Sequence, residues 1–295
     1  MIFVLIICLL LYIFVPYFRV AVAHPVKVVS NALPDLLKYF RWKRYNKVDM
    51  GKLVAITGYF GAGKTLTGVH LAKRFAQKWH GTRYFDGKQW VTQHVIILSN
   101  VTMQLEKGFF IYMEGLSDIV SLADYYLKYD KENATRTLIF VLGDEFGSNM
   151  NSRNFKSNID MDFLSTMLCC RHYSMSIYYI AQKFNLVDKL LRDVTQDVYY
   201  VHKFWRLCYY DILDATELEN AINPDVIKVR GRRGYFATNK LFNSYDTIAM
   251  ADKMSHDCKE GNRLSAFEIM ENRGYVFGGM DAVKSPKRSW RKKHK

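Results

Sequence analysis

The stretch Gly58-Tyr59-Phe60-Gly61-Ala62-Gly63-Lys64-Thr65 constrains this chain more than any other. It satisfies G-x-x-x-x-G-K-[ST], a pattern with physical meaning only when a strand precedes it and a helix follows. Both flanks qualify. Leu53-Val54-Ala55-Ile56-Thr57 is a short aliphatic and β-branched run of the kind that forms a buried strand. Leu66 to Lys78 places Leu66, Val69, Phe75 and Ala76 on the apolar face of a helix. Glycines 58, 61 and 63 let backbone N–H groups turn toward phosphate oxygens at the helix N-terminus. The expected nucleotide contacts run from Gly58, Tyr59, Phe60, Gly61, Ala62 and Gly63 through Lys64, Thr65 and Leu66. Lys64 is placed for the β- and γ-phosphates of ATP and Thr65 for Mg2+.

A loop of this kind needs a carboxylate partner. Leu138-Ile139-Phe140-Val141-Leu142-Gly143 reads as a hydrophobic strand leading into Asp144-Glu145. Asp144 suits the water-mediated contact to Mg2+, and Glu145 suits polarising an attacking water. An adjacent Glu separates a hydrolase from a small-molecule kinase, which has no water to activate. Further strands are expected over His94–Asn100, Ser176–Ala181 and Val198–Phe204. Strands alternating with helical segments argue an α/β fold. With the phosphate loop, the expectation is a P-loop NTPase with a mostly parallel, doubly wound sheet flanked by helices and nucleotide at the strand carboxyl ends. Gln182 then falls beside the tip of the acidic strand, where an amide senses the γ-phosphate.

The amino terminus is of a different character. Ile2 to Phe18, IFVLIICLLLYIFVPYF, carries no charge. It lies at the short end of the ~17–25 residues that a spanning helix uses. Pro16 is placed to kink or end such a helix, and Tyr12 and Tyr17 fit an interfacial aromatic belt. Ala21-Val22-Ala23 has the form of a signal-peptide cleavage site. No basic residue precedes the run, however, and Arg19 interrupts the approach to that site. We therefore expect one N-terminal transmembrane helix over residues 1–23 and a basic juxtamembrane stalk over 24–50. Lys27, Lys38, Arg41, Lys43, Arg44, Lys47 and Lys52 all follow the run, which puts the rest of the chain in the cytoplasm, a single-pass arrangement at the inner membrane. A nucleotide-binding domain is expected over 51–250, and an extension with a basic tail over 251–295.

The 295 residues carry a formal net charge of +14, which favours acidic partners, nucleic acid or anionic lipid. Lys284 to Lys295, KSPKRSWRKKHK, has seven Lys or Arg and no acid. Its basic side chains suit non-specific contact with nucleic acid or headgroups, and Trp290 suits stacking. Gly147–Asn158 reads as a loop past the acidic strand, with Arg153 and Lys156 as candidate DNA contacts. Residues 79–93 also read as an exposed loop. KVRGRRGYFA offers Arg230, Arg232 and Arg233 on a Gly-rich turn, either for phosphate contact or as a solvated hairpin tip. The five cysteines include no CxxC pair, and Cys169 and Cys170 read as small buried hydrophobes on a helix.

From Asp144 onward the pattern resembles the Zot-like (zonula occludens toxin domain) ATPases of filamentous bacteriophages, within the FtsK/HerA class of P-loop ATPases. The resemblance covers roughly residues 50–245. It rests on the phosphate loop, the strand ending Ser99-Asn100 and the Asp144-Glu145 pair. It also rests on Arg171-His172, the Ala181-Gln182 strand end, and Leu241-Phe242-Asn243-Ser244-Tyr245. Ser174 departs from the glycine common after the Arg-His step, and the apolar segment here precedes the ATPase region instead of following it. The resemblance implies a ring, commonly hexameric, in which an arginine reaches the neighbouring subunit's nucleotide. Arg171 is the preferred finger, with Arg192 and Arg153 behind it. It further implies a membrane-anchored motor extruding single-stranded DNA with other phage assembly or export-channel proteins. The apolar segment's position equally fits a conjugative coupling ATPase, and a structural membrane component regulated by nucleotide is the reading from another class.

Overall fold

The computed structural model describes residues 2–44, 48–86, 89–144, 161–221 and 227–245. In chain order the helices are α1 (Ile2–Phe14), α2 (Pro16–Ala23), α3 (Pro25–Arg44), α4 (Lys64–Trp79), α5 (Leu116–Asn133), α6 (Met161–Leu168), α7 (Lys189–Val194), α8 (Ala215–Asn220) and α9 (Asn239–Phe242). The strands are β1 (Leu53–Thr57), β2 (Arg83–Phe85), β3 (Trp90–Ser99), β4 (Phe109–Tyr112), β5 (Thr135–Gly143), β6 (Met175–Ile180), β7 (Asp197–Phe204), β8 (Leu207–Asp214) and β9 (Gly231–Phe236). The described residues fall into two compact units, one of 2–44 with 83–86 and 89–90, the other of 48–82, 91–144, 161–221 and 227–245.

In the larger unit the strands lie in the order β3-β5-β6-β1-β7-β8-β9, with β4 pairing β3. Pairing is parallel from β4 through β7 and antiparallel over β7-β8-β9. The parallel strands are apolar almost throughout because helices cover both faces, as βαβ crossovers require. Alternate residues therefore enter different cores. Val54 and Ile56 pack with Leu66, Val69, Ala72 and Ala76 of α4 on one face. Leu53 and Ala55 pack on the other face with Ile119, Leu122 and Tyr126 of α5 and Phe163 and Met167 of α6.

Polar groups tie the amino ends of the strands together. Arg136, near the start of β5, donates to Gln93 Oε1 (3.2 Å), Ser174 Oγ (3.3 Å) and the Val48 carbonyl (3.1 Å). Ser176 Oγ accepts from the backbone N–H groups of Gly51 and Lys52, each at 3.2 Å. Gly51 is required there: a Cβ would lie 2.7 Å from Arg171 Cα.

The expected strands are present with boundaries shifted by a few residues, and the helix after the loop runs from Lys64 to Trp79. Three readings are corrected. Residues 79–93 are not simply a loop: Arg83–Phe85 is a strand, and Trp90 already opens β3. The segment holding Arg232 and Arg233 is strand β9, not a turn. Two of the three cations are paired internally, Arg232 with Asp211 (2.5 Å) and Arg230, just before the strand, with Asp197 (3.5 Å) and Asp214. Cys170 is buried but Cys169 is exposed, and both sit in the turn after α6. Residues 147–158 and 251–295 lie outside the described residues.

The amino-terminal arm departs from the expected single spanning helix. Among the described residues no helix is long and apolar enough to cross a membrane. The break is at Val15, whose φ of −112° and ψ of 101° are extended, just before Pro16 opens α2. Proline has no N–H to bond the carbonyl four residues back, here that of Tyr12. The Arg19 guanidinium supplies the missing donor, with Nε 2.7 Å from the Tyr12 carbonyl and a second bond to that of Ile13. The 13 residues of α1 rise ~20 Å at ~1.5 Å each, against a hydrocarbon core of ~30 Å. α3 is longer but carries Lys27 and Asp35 along its length.

His70 of α4 stacks on Tyr235 of β9, with ring centroids 3.9 Å apart and planes 7° from parallel. Burial, reinforced by Arg74, lowers its pKa from 6.5 to about 4. A lowered histidine pKa means the unfolded chain takes up the proton first. This contribution to stability is full above about 6.5 and is lost as pH falls toward about 4. Denaturant midpoints across that window should fall more steeply for the wild type than for His70→Phe, which keeps the stack without the titration.

Candidate nucleotide-binding site

β1 ends at Thr57, and the chain then turns through the loop into α4. Gly58 has φ 151°, and a Cβ there would lie 2.8 Å from the Val201 carbonyl of β7, so a side chain is excluded both by conformation and by space. The Ala62 N–H donates to the Tyr59 carbonyl (3.1 Å), closing the turn. Gly63 caps α4 in the left-handed region, and no side chain caps the helix. The first-turn N–H groups of α4 thus face the concavity of the loop, the arrangement that receives a phosphate.

Lys64 Nζ donates to the carbonyls of Gly58 (2.9 Å) and Tyr59 (3.1 Å), so its ammonium curls back over the loop. Partial burial lowers its pKa, and the nearby Asp144 carboxylate opposes that shift. Thr65 Oγ1 donates to Asp144 Oδ2 at 2.5 Å, across 79 positions of sequence. A hydroxyl and a carboxylate side by side form a hard-oxygen pair that suits Mg2+ shared with phosphate oxygens. Thr65, Lys64 and Asp144 therefore fit ATP with Mg2+ on the chemistry of their donor set.

Strand order explains the convergence. β6 lies between β1 and β5, pairing Ile56 with Ile180 on one edge and Gly143 with Tyr179 on the other. The Ala181 N–H then bonds the Ile56 carbonyl at 3.0 Å, which sets the exposed Gln182 beside the start of the loop. Glu145 lies outside the described residues. Arg171 lies at the other end of β6, against Gly51. The five residues of β1, ~17 Å at ~3.3 Å each, separate it from its own loop. Arg192 bonds Glu219 at 3.1 Å between α7 and α8, and Arg153 is outside the described residues.

This α/β arrangement is consistent with a P-loop NTPase. No family model matches the chain, and no curated protein matches it. Similar solved structures include the N-terminal domain of zonular occludens toxin from Neisseria meningitidis. It is 17% identical with a TM-score of 0.42, and the match covers 67% of this chain and 100% of that one. Another is the genome packaging NTPase B204 from Sulfolobus turreted icosahedral virus 2 in complex with ATP-gammaS, 8% identical with a TM-score of 0.40, covering 64% and 98%.

Sequence reading named Asn100 only as a strand end, and its role is larger. Its Nδ2 donates to the Asp144 carbonyl (2.9 Å), and its Oδ1 accepts from the Asp144 N–H (2.8 Å). The side chain thereby clamps the acidic residue's backbone where β5 leaves the sheet. The only sequence signal was an amide at the end of an expected strand; that this strand lies beside β5 comes from the sheet pairing. Asn100→Ala should lower unfolding stability by about 1–3 kcal/mol, since it strips two bonds from a largely buried turn. Urea denaturation measures this directly.

Proposed function

We propose that this chain is an ATP-hydrolysing motor that drives single-stranded DNA through the host inner membrane during filamentous phage assembly. The observation that carries the reading is the convergence of Lys64, Thr65 and Asp144 at the carboxyl ends of a parallel sheet with β6 inserted between their strands. The hydrolase half of the proposal rests on Glu145, next in sequence to Asp144. The polymer-transport half rests on the sequence resemblance, the net charge of +14 and the apolar arm at Ile2–Ala23.

Each residue has a role in this reading. The loop backbone from Gly58 to Leu66 holds the triphosphate, and Lys64 leaves the loop carbonyls for the β- and γ-phosphates. Mg2+, when bound by Thr65 and through water by Asp144, supplies neutralisation of charge on the phosphate oxygens. Glu145 orients the attacking water and takes its proton. Gln182 lies where an amide can register the γ-phosphate. Arg171 sits too far from its own loop to serve it, so any nucleotide contact it makes is with a neighbouring copy. A homo-hexameric ring is the assembly we propose, held at the cytoplasmic face of the inner membrane by the amino-terminal arm and working with export-channel proteins.

The test is a particle-release assay with DNA captured by crosslinking, alongside ATP hydrolysis by purified protein. Lys64→Ala should abolish nucleotide binding and release. Glu145→Gln should keep binding but lower hydrolysis by at least about 100-fold, the scale of a lost general base, and release should fall with it. Wild-type release by Glu145→Gln would leave only a structural component whose nucleotide regulates assembly.

A further inference from the structure

We infer that Lys203 is a second nucleotide-binding cation, contacting the nucleoside-proximal phosphate of the triphosphate, with Phe242 and Arg206 forming the wall beside it. The inference rests on the reading of the loop as an ATP site and extends that site across β7.

Direction along the loop comes first. Asp144 and Gln182 follow strands on one side of β1, and Thr65 bonds Asp144 there. The metal-bridged β- and γ-phosphates belong on that side. The remainder of the nucleotide must leave toward β7, the strand that pairs the opposite edge of β1.

β7 runs close against the loop at that place. Besides the approach of the Val201 carbonyl to Gly58, a Cβ on Gly63 would lie 3.2 Å from Lys203 Cδ and 3.8 Å from Lys203 Cβ. The alternation along β7 explains the contact. Tyr199 and Val201 enter the core that α4 covers, and Lys203, two positions on, falls on the same face at the junction of loop and helix.

The surroundings are suited to the outer part of a nucleotide. Lys203 is exposed, and its Nζ lies 5.3 Å from the centroid of the Phe242 ring. The Arg206 guanidinium lies 5.4 Å from the same ring and is fixed by bonds to the Ala237 carbonyl (3.1 Å) and Asn239 Oδ1 (2.6 Å). Among the described residues no ion pair engages Lys203. Its ammonium is carried on a four-carbon stem directly beside a phosphate-binding loop, and swinging from the ring to a phosphate exchanges a weak contact for a charge-assisted one.

The experiment measures affinity for a fluorescent ATP analogue and steady-state hydrolysis in the full chain, for wild type, Lys203→Met, Lys203→Arg and Lys64→Ala. Loss of one charge-assisted phosphate contact predicts binding weaker by about tenfold or more in Lys203→Met. The contact is the same before and during the reaction, so KM should rise while kcat at saturation stays near wild type. Lys203→Arg should retain most of the affinity. Affinity of Lys203→Met within twofold of wild type would overturn the inference, as would equal weakening by Met and Arg. Failure of the ATP reading is recognised separately, because the wild type itself would then not bind the analogue.

Discussion

One hydrogen bond, Thr65 to Asp144, joins the two halves of the candidate site, and the sheet register alone makes it possible. β1 and β5 are not neighbours. They are brought to a common height because β6 pairs in parallel with both, matching Ile56 to Ile180 and Gly143 to Tyr179. A slip of one residue on either edge would turn the strands' buried faces over and carry Asp144 out of reach. The two apolar cores enforce the register, so the chemistry at the strand ends is positioned by packing well below it.

The antiparallel extension β7-β8-β9 supports the same loop from the other direction. Tyr235 of β9 lies 3.0 Å from Thr67 Oγ1, which itself donates to the Gly63 carbonyl (2.9 Å), and stacks on His70 a turn later. Burial raises the Tyr235 pKa, with Cys208 adding to the rise, so the ring remains a neutral hydroxyl in that contact. On the opposite face, Arg232 is spent on Asp211 and leans over Tyr209 at 5.2 Å. Arg230, just before β9, is likewise paired within the fold, with Asp197 and Asp214.

The parts of the fold governed by local rules were legible in the sequence. The aliphatic run before Gly58, the glycines and the apolar run before Asp144 each carry their meaning within about ten residues, and each appears as read. What was not legible depended on partners distant in sequence. Arg230 and Arg232 looked like a basic patch because Asp197, Asp211 and Asp214 lie far away along the chain and meet them only through strand pairing. Asn100 and Lys203 have unremarkable neighbours, and only the adjacency of β3 to β5 and of β7 to β1 gives them a place at the site. In the arm, Pro16 was read as the place to kink or end the helix, and the part not legible was how the break is completed. Hydropathy counts side chains, whereas the break at Val15-Pro16 is a backbone hydrogen-bonding event that Arg19 completes from four residues beyond Val15.

β6 has one more property that follows from its place in the sheet. Arg171 precedes its first residue and Gln182 follows its last, so the two polar groups stand at opposite ends of a single extended rod. That rod is laddered to β1 on one edge and β5 on the other, and sliding it alone would break both ladders at once. A displacement applied at one end therefore reaches the other only as a tilt shared by the whole sheet, with the loop and Asp144 carried along. The Arg171 end and the phosphate cradle are thus joined by a strand that is laddered on both edges.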